Sequence, residues 1–264
     1  MPGRDHLLTD EEVMHFITHG YHLVHTDFPP EFHQAIYEAA CRLEKNPGNA
    51  ILEAVPALQE VYAHPLVRGA LVSLLGADYE MNAHRHLHTT PAQHLHSQGW
   101  HQDGTNVRHH QIRTVLAMYY PQDVIPENGP TVVLPGSHFR NAPTDRMAAY
   151  ANIRGQVFLN VPAGTVAITH YDIWHAATLN RTDKPRHMFK FLFDRVSEPV
   201  APSWDYDPVE GHKIAYRRFR DMVGSPAGYN SDYYKEWELR KEMWEWLMGM
   251  RGAVPPGAFK DMLG

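Results

Sequence analysis

His101 and Asp103 stand two positions apart in the run Gly99-Trp100-His101-Gln102-Asp103-Gly104. If that run is extended, both side chains leave the same face, because side chains alternate along a strand. An imidazole and a carboxylate side by side are two members of the two-histidine, one-carboxylate facial set, which holds iron(II) and keeps positions open for reactants. A third ligand would come from a distant strand. His-x-Asp alone carries little weight in a chain with 20 histidines, crowded between His84 and His110. By itself the pair reads better as a hydrogen-bonded structural contact at a strand end.

Its company gives it meaning. Downstream come Glu127-Asn128-Gly129-Pro130-Thr131-Val132-Val133-Leu134-Pro135-Gly136-Ser137-His138, then Asp172-Ile173-Trp174-His175, and then Arg186, 11 residues past His175. A turn at Asp183-Lys184-Pro185 predicts a hairpin that sets His175 and Arg186 on neighbouring antiparallel strands lining one cavity. Arginine suits the far end of such a cavity because its planar fork pairs bidentately with a carboxylate.

In this order, His101-Gln102-Asp103, residues 127–138, Trp174-His175 and Arg186 resemble the phytanoyl-CoA dioxygenase family of iron(II)/2-oxoglutarate oxygenases, over about residues 79–196. The resemblance implies a mainly β fold with flanking helices and a double-stranded β-helix core (jelly roll, cupin-like). It implies catalytic iron(II) held by His101, Asp103 and His175, with 2-oxoglutarate as co-substrate anchored by Arg186. With O2, it implies hydroxylation of a small-molecule substrate and release of succinate and CO2. Related halogenases replace the carboxylate ligand with a small residue, so Asp103 favours hydroxylation. Many relatives place a hydroxyl two residues after the distal histidine; Ala177 stands there, and Thr114 and Thr131 are the candidates to replace that donor for 2-oxoglutarate.

Other residues invite weaker roles. On the strand from Arg186, alternation turns Phe189, Phe191 and Phe193 outward and Arg186, Met188 and Lys190 inward. Lys190 is thereby a candidate for an anionic substrate group, against the plainer reading of a solvated lysine. His84, His86 and His88 share a face and are either a second metal site or cavity and solvent residues. Arg85, Arg108, His109 and His110 either cap the pocket or form a solvated loop. Segments 90–98 and 200–207 are lid candidates. Two other classes compete: a cupin-like metal-dependent hydrolase or isomerase, which leaves Arg186 idle, and a non-catalytic histidine-rich metal-binding protein.

The elements that must position these groups are legible in part. Thr9 and Glu12 form a capping-box pattern ahead of Val13, Phe16 and Ile17. Helical stripes follow over residues 31–44 and 65–75, the last closed by Gly76. Seven short β-rich runs come next, at 79–89, 112–120, 131–134, 156–161, 165–169, 174–179 and 186–196, broken by Gly/Pro turns. This spacing predicts an antiparallel sandwich or barrel. Helices return over 208–222 and 231–250, with Trp237, Trp244 and Leu247 as a packing face. One domain over 1–264 is expected: N-terminal helices (1–78), the β core (79–198) and a C-terminal helical extension (199–264).

Composition excludes several classes. A net charge of −6 without a basic run argues against nucleic acid as partner. No apolar run approaches the roughly 20 residues that span a bilayer. Met1 to Val13 lacks a signal-peptide core, and Cys41, the sole cysteine, removes any internal disulfide framework. A cytoplasmic protein without membrane partners is expected; no feature of the sequence sets an oligomeric state.

Overall fold

The computed structural model describes residues 6–104, 107–141, 152–220 and 232–250. Local rules start the chain as the sequence predicts. Glu12 N–H donates to the Thr9 hydroxyl at 3.3 Å, and Thr9 N–H donates to the Glu12 carboxylate at 2.8 Å, closing the capping box. Helix α1 (Asp10–His19) buries Val13, Phe16 and Ile17 and stops at Gly20, whose φ of 81° only glycine adopts freely. Helices α2 (Pro30–Cys41), α3 (Ile51–Ala54), α4 (Leu58–Ala63) and α5 (Pro65–Leu75) follow. Between α1 and α2 lies β1 (Tyr21–His25), a strand inside the segment expected to be helical. Five residues give no clear alternation; long-range antiparallel pairing with residues 165–169 makes this a strand.

The predicted β-rich runs form β2 (Glu80–Thr90), β3 (Thr114–Tyr120), β4 (Thr131–Val133), β5 (Val157–Phe158), β6 (Thr165–His170), β7 (His175–Ala177) and β8 (Arg186–Asp194). They build two antiparallel sheets, ordered β1-β6-β3-β8-β2 and β5-β4-β7. The predicted hairpin between His175 and Arg186 does not form. β7 pairs with β4 in the smaller sheet, while β8 pairs with β2 and β3 in the larger one. Residues 178–185 are too long for the usual two- to five-residue hairpin loop, and the chain crosses between sheets. Fully buried Asn180 braces that crossing, donating to Thr90 O at 3.2 Å and Lys184 O at 2.8 Å.

β8 is buried along nearly its whole length and works on both faces. Phe189, Phe191 and Phe193 join the core that runs through the N-terminal helices. There Tyr62 stacks on Phe191 with ring centroids 4.2 Å apart, and its hydroxyl donates to Ala117 O and Phe189 O. Arg186, Met188 and Lys190 face the opposite way, as alternation predicts, and line a cavity. Helices α6 (Pro208–Arg220) and α7 (Asp232–Leu247) pack against α1. Trp244 and Leu247 enter the core; Trp237 meets Phe219 edge-on. The expected ends of these helices at Met222 and Ser231, and the first five residues, lie outside the described residues. No described helix is long and apolar enough to cross a membrane.

Several histidines are folded into the interior uncharged. Burial holds His170 down to about 4, Asp172 partly offsetting it, and burial with Arg186 holds His187 to about 4. Unfolding lets these rings take up protons below about pH 6.5. Their contribution is therefore complete above that pH and is lost as pH falls toward 4, on the order of 3 kcal/mol from His170 alone. Urea unfolding of metal-free protein should show a clearly lower midpoint at about pH 5 than at about pH 7.5.

Candidate metal centre

The three expected ligands converge. His101 and His175 are backbone partners, each amide donating to the other's carbonyl at 3.0 and 2.9 Å. That bridge sets the two rings side by side, centroids 4.3 Å apart. Each ring is fixed the same way: Nδ1 of His101 donates to Gly99 O at 2.9 Å and Nδ1 of His175 to Ile173 O at 3.1 Å. A carbonyl on Nδ1 selects the tautomer with a bare Nε2, the usual arrangement behind a metal-ligating histidine. Gln98 donates its side-chain amide to that Nε2 of His101 at 3.3 Å. Asp103 completes the group, with Oδ1 3.8 Å from His101 Nε2 and Oδ2 3.7 Å from His175 Nε2. Among the described residues these are the one set of three whose candidate ligand atoms all lie within 4.8 Å of one another.

Their protonation states suit a cation. Burial, followed by the charge of Lys190, pushes His175 down to about 3, leaving it neutral. Burial would raise Asp103, but His175, Lys190 and His101 outweigh it and hold the carboxyl below its ordinary value. Lys190 donates directly to Asp103 Oδ2. Two imidazoles and one carboxylate are the donor set that iron(II) takes in facial-triad sites.

A cavity of about 210 Å³ opens beside the triad, lined from both sheets. Arg186 closes one end, 1% exposed, with Nε and Nη2 both donating to Gly129 O at 2.9 and 2.7 Å. Gly129 sits at φ 81°, and a side chain there would meet Thr178 O at 2.9 Å; the Asn-Gly-Pro turn exists to present that carbonyl. Of the two threonines proposed to replace the missing hydroxyl at Ala177, Thr131 lines the cavity and is Ala177's direct cross-strand partner. Its oxygen accepts from Tyr120 at 2.9 Å, so its own proton is free to be donated. Thr114 is a correction: its hydroxyl donates to Asp194 at 2.6 Å and it is not among the described lining residues.

The lid candidates separate. Segment 90–98 walls the cavity through Thr90, His94, His96 and Gln98, and backbone bonds tie it to 177–182 at Gln93, His94 and Gln98. Segment 200–207 is elsewhere. Trp204 is buried there and donates to Asp10 at 2.7 Å, and Ser203 donates to Ser73 O. An indole drew that segment to the helices rather than over the cavity. Arg85, Arg108, His109 and His110 do not line the cavity either; His109 reaches Asp172 at 2.9 Å and His110 reaches Glu242 at 3.4 Å. His84, His86 and His88 form a row, with centroid separations of 4.1 and 6.4 Å, but do not gather as the triad does.

Sequence reading missed one support. Asp172 packs so closely under the loop carrying Asp103 that a Cβ on Gly104 would fall 1.6 Å from its Oδ1. The signal was present as a glycine directly after the acidic ligand. Gly104→Ala should displace Asp103 and weaken metal binding by roughly 10- to 100-fold, the usual cost of losing such support, read by competition with a chelating indicator.

Residues 16–188 match the family model described as phytanoyl-CoA dioxygenase. No curated protein matches the sequence significantly. Among solved structures, the fold is similar to EctD from S. alaskensis with 2-oxoglutarate and 5-hydroxyectoine (19% identity, 74% of this chain and 79% of that one, TM-score 0.59). It is similar to iron-bound HygX from Streptomyces hygroscopicus (16%, 72% and 87%, 0.58). It also resembles SnoN, a non-heme alpha ketoglutarate dependent epimerase from nogalamycin biosynthesis (18%, 70% and 82%, 0.57). At these identities the likeness carries the fold alone.

Proposed function

The chain belongs to the phytanoyl-CoA dioxygenase family, and we propose that it is an iron(II)- and 2-oxoglutarate-dependent dioxygenase that hydroxylates a small molecule. The observation that carries this reading is the convergence of His101, Asp103 and His175 within 4.8 Å beside a cavity closed by Arg186. The two antiparallel sheets fit a double-stranded β-helix within one domain over 1–264, with its body in 79–198, β1 added from 1–78, and α6 and α7 of the extension 199–264 packed beside α1. Cys41 as the sole cysteine suits the reducing cytoplasm.

When bound, iron(II) and 2-oxoglutarate supply the oxidising chemistry: O2 is consumed, the co-substrate leaves as succinate and CO2, and a substrate C–H becomes C–OH. The chain's own residues do the positioning. His101 and His175 present fixed Nε2 lone pairs, and Asp103 supplies the anionic ligand whose retention favours hydroxylation over halogenation. Arg186 offers its Nη1 end to the far carboxylate of 2-oxoglutarate, and Thr131 offers the hydroxyl that Ala177 lacks. Thr90, His94 and Gln98 wall the cavity against water, which protects reactive species.

The test is anaerobic titration of metal-free protein with iron(II) and 2-oxoglutarate. A weak visible charge-transfer band saturating at one iron per chain is expected. Iron binding without the band would instead favour a cupin-like hydrolase or isomerase, and several metals per chain would favour a histidine-rich binding protein.

A further inference from the structure

Lys190 binds neither metal nor co-substrate in that scheme, yet it is 93% buried by the sheets, with 7% of its surface exposed. Its one recorded partner among the described residues is Asp103. No acidic side chain is among the described residues lining the cavity. Formal charges expose the imbalance. Iron(II) and Arg186 together carry three positive charges, and Asp103 with the two carboxylates of 2-oxoglutarate carries three negative ones. Lys190 is then left over, and a buried cation without a counter-charge is costly.

Position says which anion is missing. Arg186 and Lys190 are four residues apart on β8, which at about 3.3 Å per residue separates them by roughly 13 Å along the strand. Arg186 marks the co-substrate end, and Lys190 marks the end at the metal ligands. His86 lies directly across from Lys190 in the β2–β8 register, and His84 continues the row beyond it to an exposed position. This surface of N–H donors extends from Lys190 away from Arg186. Neither His84 nor His86 has a recorded hydrogen bond to its ring among the described residues. Burial, His84 and then Lys190 lower His86, so its ring is a neutral donor that does not compete with the ammonium.

We propose that Lys190, faced by His86, is the binding point for an acidic group on the substrate, so that the enzyme takes a small molecule bearing a carboxylate or phosphate. This rests on the oxygenase reading and narrows its substrate.

The probes are inorganic phosphate, acetate and neutral acetamide, titrated into protein loaded with redox-inert nickel(II) and 2-oxoglutarate, and read by shifts of the His86 and His88 ring resonances. Phosphate or acetate should bind at least about tenfold more tightly than acetamide, and the tighter of the two identifies the acidic group. Lys190→Met should erase that preference in protein kept saturated with nickel and 2-oxoglutarate; Lys190→Gln serves if the methionine variant does not fold. Equal binding of acetamide, or a preference that survives both substitutions, overturns the proposal. A fall in nickel affinity instead makes Lys190 a positioning residue for Asp103. A fall in 2-oxoglutarate affinity instead assigns Lys190 to the co-substrate; either result overturns it. Metal-free Asp103→Asn protein separates this idea from the oxygenase reading, because there Lys190 has lost its carboxylate and needs neither metal nor co-substrate. Phosphate or acetate should bind that variant more tightly than metal-free wild type, and no gain would sink the proposal.

Discussion

Replacing His175 with alanine is expected to reduce 2-oxoglutarate turnover to background, a loss on the order of 10³-fold or more, because a ligand rather than its support is removed. The measurement is succinate formed per iron(II)-loaded chain, with bound iron counted alongside. His175 is the informative ligand to remove. It is neutral in the fold, held down to about 3 chiefly by burial, so its loss leaves no stranded charge. Its backbone bridge to His101 survives alanine, since both bonds are made by main-chain atoms. Asp103→Ala would abolish turnover as well, but it would also strand the Lys190 ammonium inside the protein, and an unpaired buried charge destabilises the fold. A folded His175→Ala protein that retains full turnover would sink the triad assignment.

Arg186→Met should separate co-substrate from metal. Two charge-assisted hydrogen bonds to the far carboxylate, each worth about 1.5–3 kcal/mol, correspond to a roughly hundredfold to ten-thousandfold rise in the 2-oxoglutarate needed for half-saturation. Iron binding should stay near wild type, because Arg186 touches none of the three ligands: its recorded bonds go to Gly129 O. Arg186→Lys should not rescue the loss. A single ammonium cannot reproduce a fork that holds a carbonyl on one edge and presents its other end to an anion. Unchanged half-saturation in Arg186→Met would remove Arg186 from the co-substrate site.

What could be read from the sequence was whatever local geometry controls. His101 and Asp103 project together because they are two apart, and β8 divides its faces for the same reason. The capping box at Thr9 and Glu12 is likewise a four-residue event. Long-range partners decide what was not legible. Tyr21–His25 becomes a strand because β6 offers it an edge. His175 and Arg186 look like hairpin neighbours from their spacing, yet Asn180 carries the chain from one sheet to the other. Thr114 and Thr131 were equivalent candidates until strand register set Thr131 opposite Ala177 and turned Thr114 toward Asp194. Segment 200–207 resembled a lid in composition, and a single tryptophan docking on Asp10 sent it elsewhere.

The clamp between Arg186 and the Gly129 carbonyl has one more consequence. A guanidinium held by two of its nitrogens cannot follow its ligand, and the His101 and His175 rings are likewise fixed by backbone carbonyls at the other end. The distance between them then acts as a gauge for the length of a 2-oxo diacid. Oxaloacetate, one methylene shorter, and 2-oxoadipate, one longer, would each leave one end out of hydrogen-bond range. Discrimination among such keto acids would thus belong to the rigidity of the glycine turn that holds Arg186.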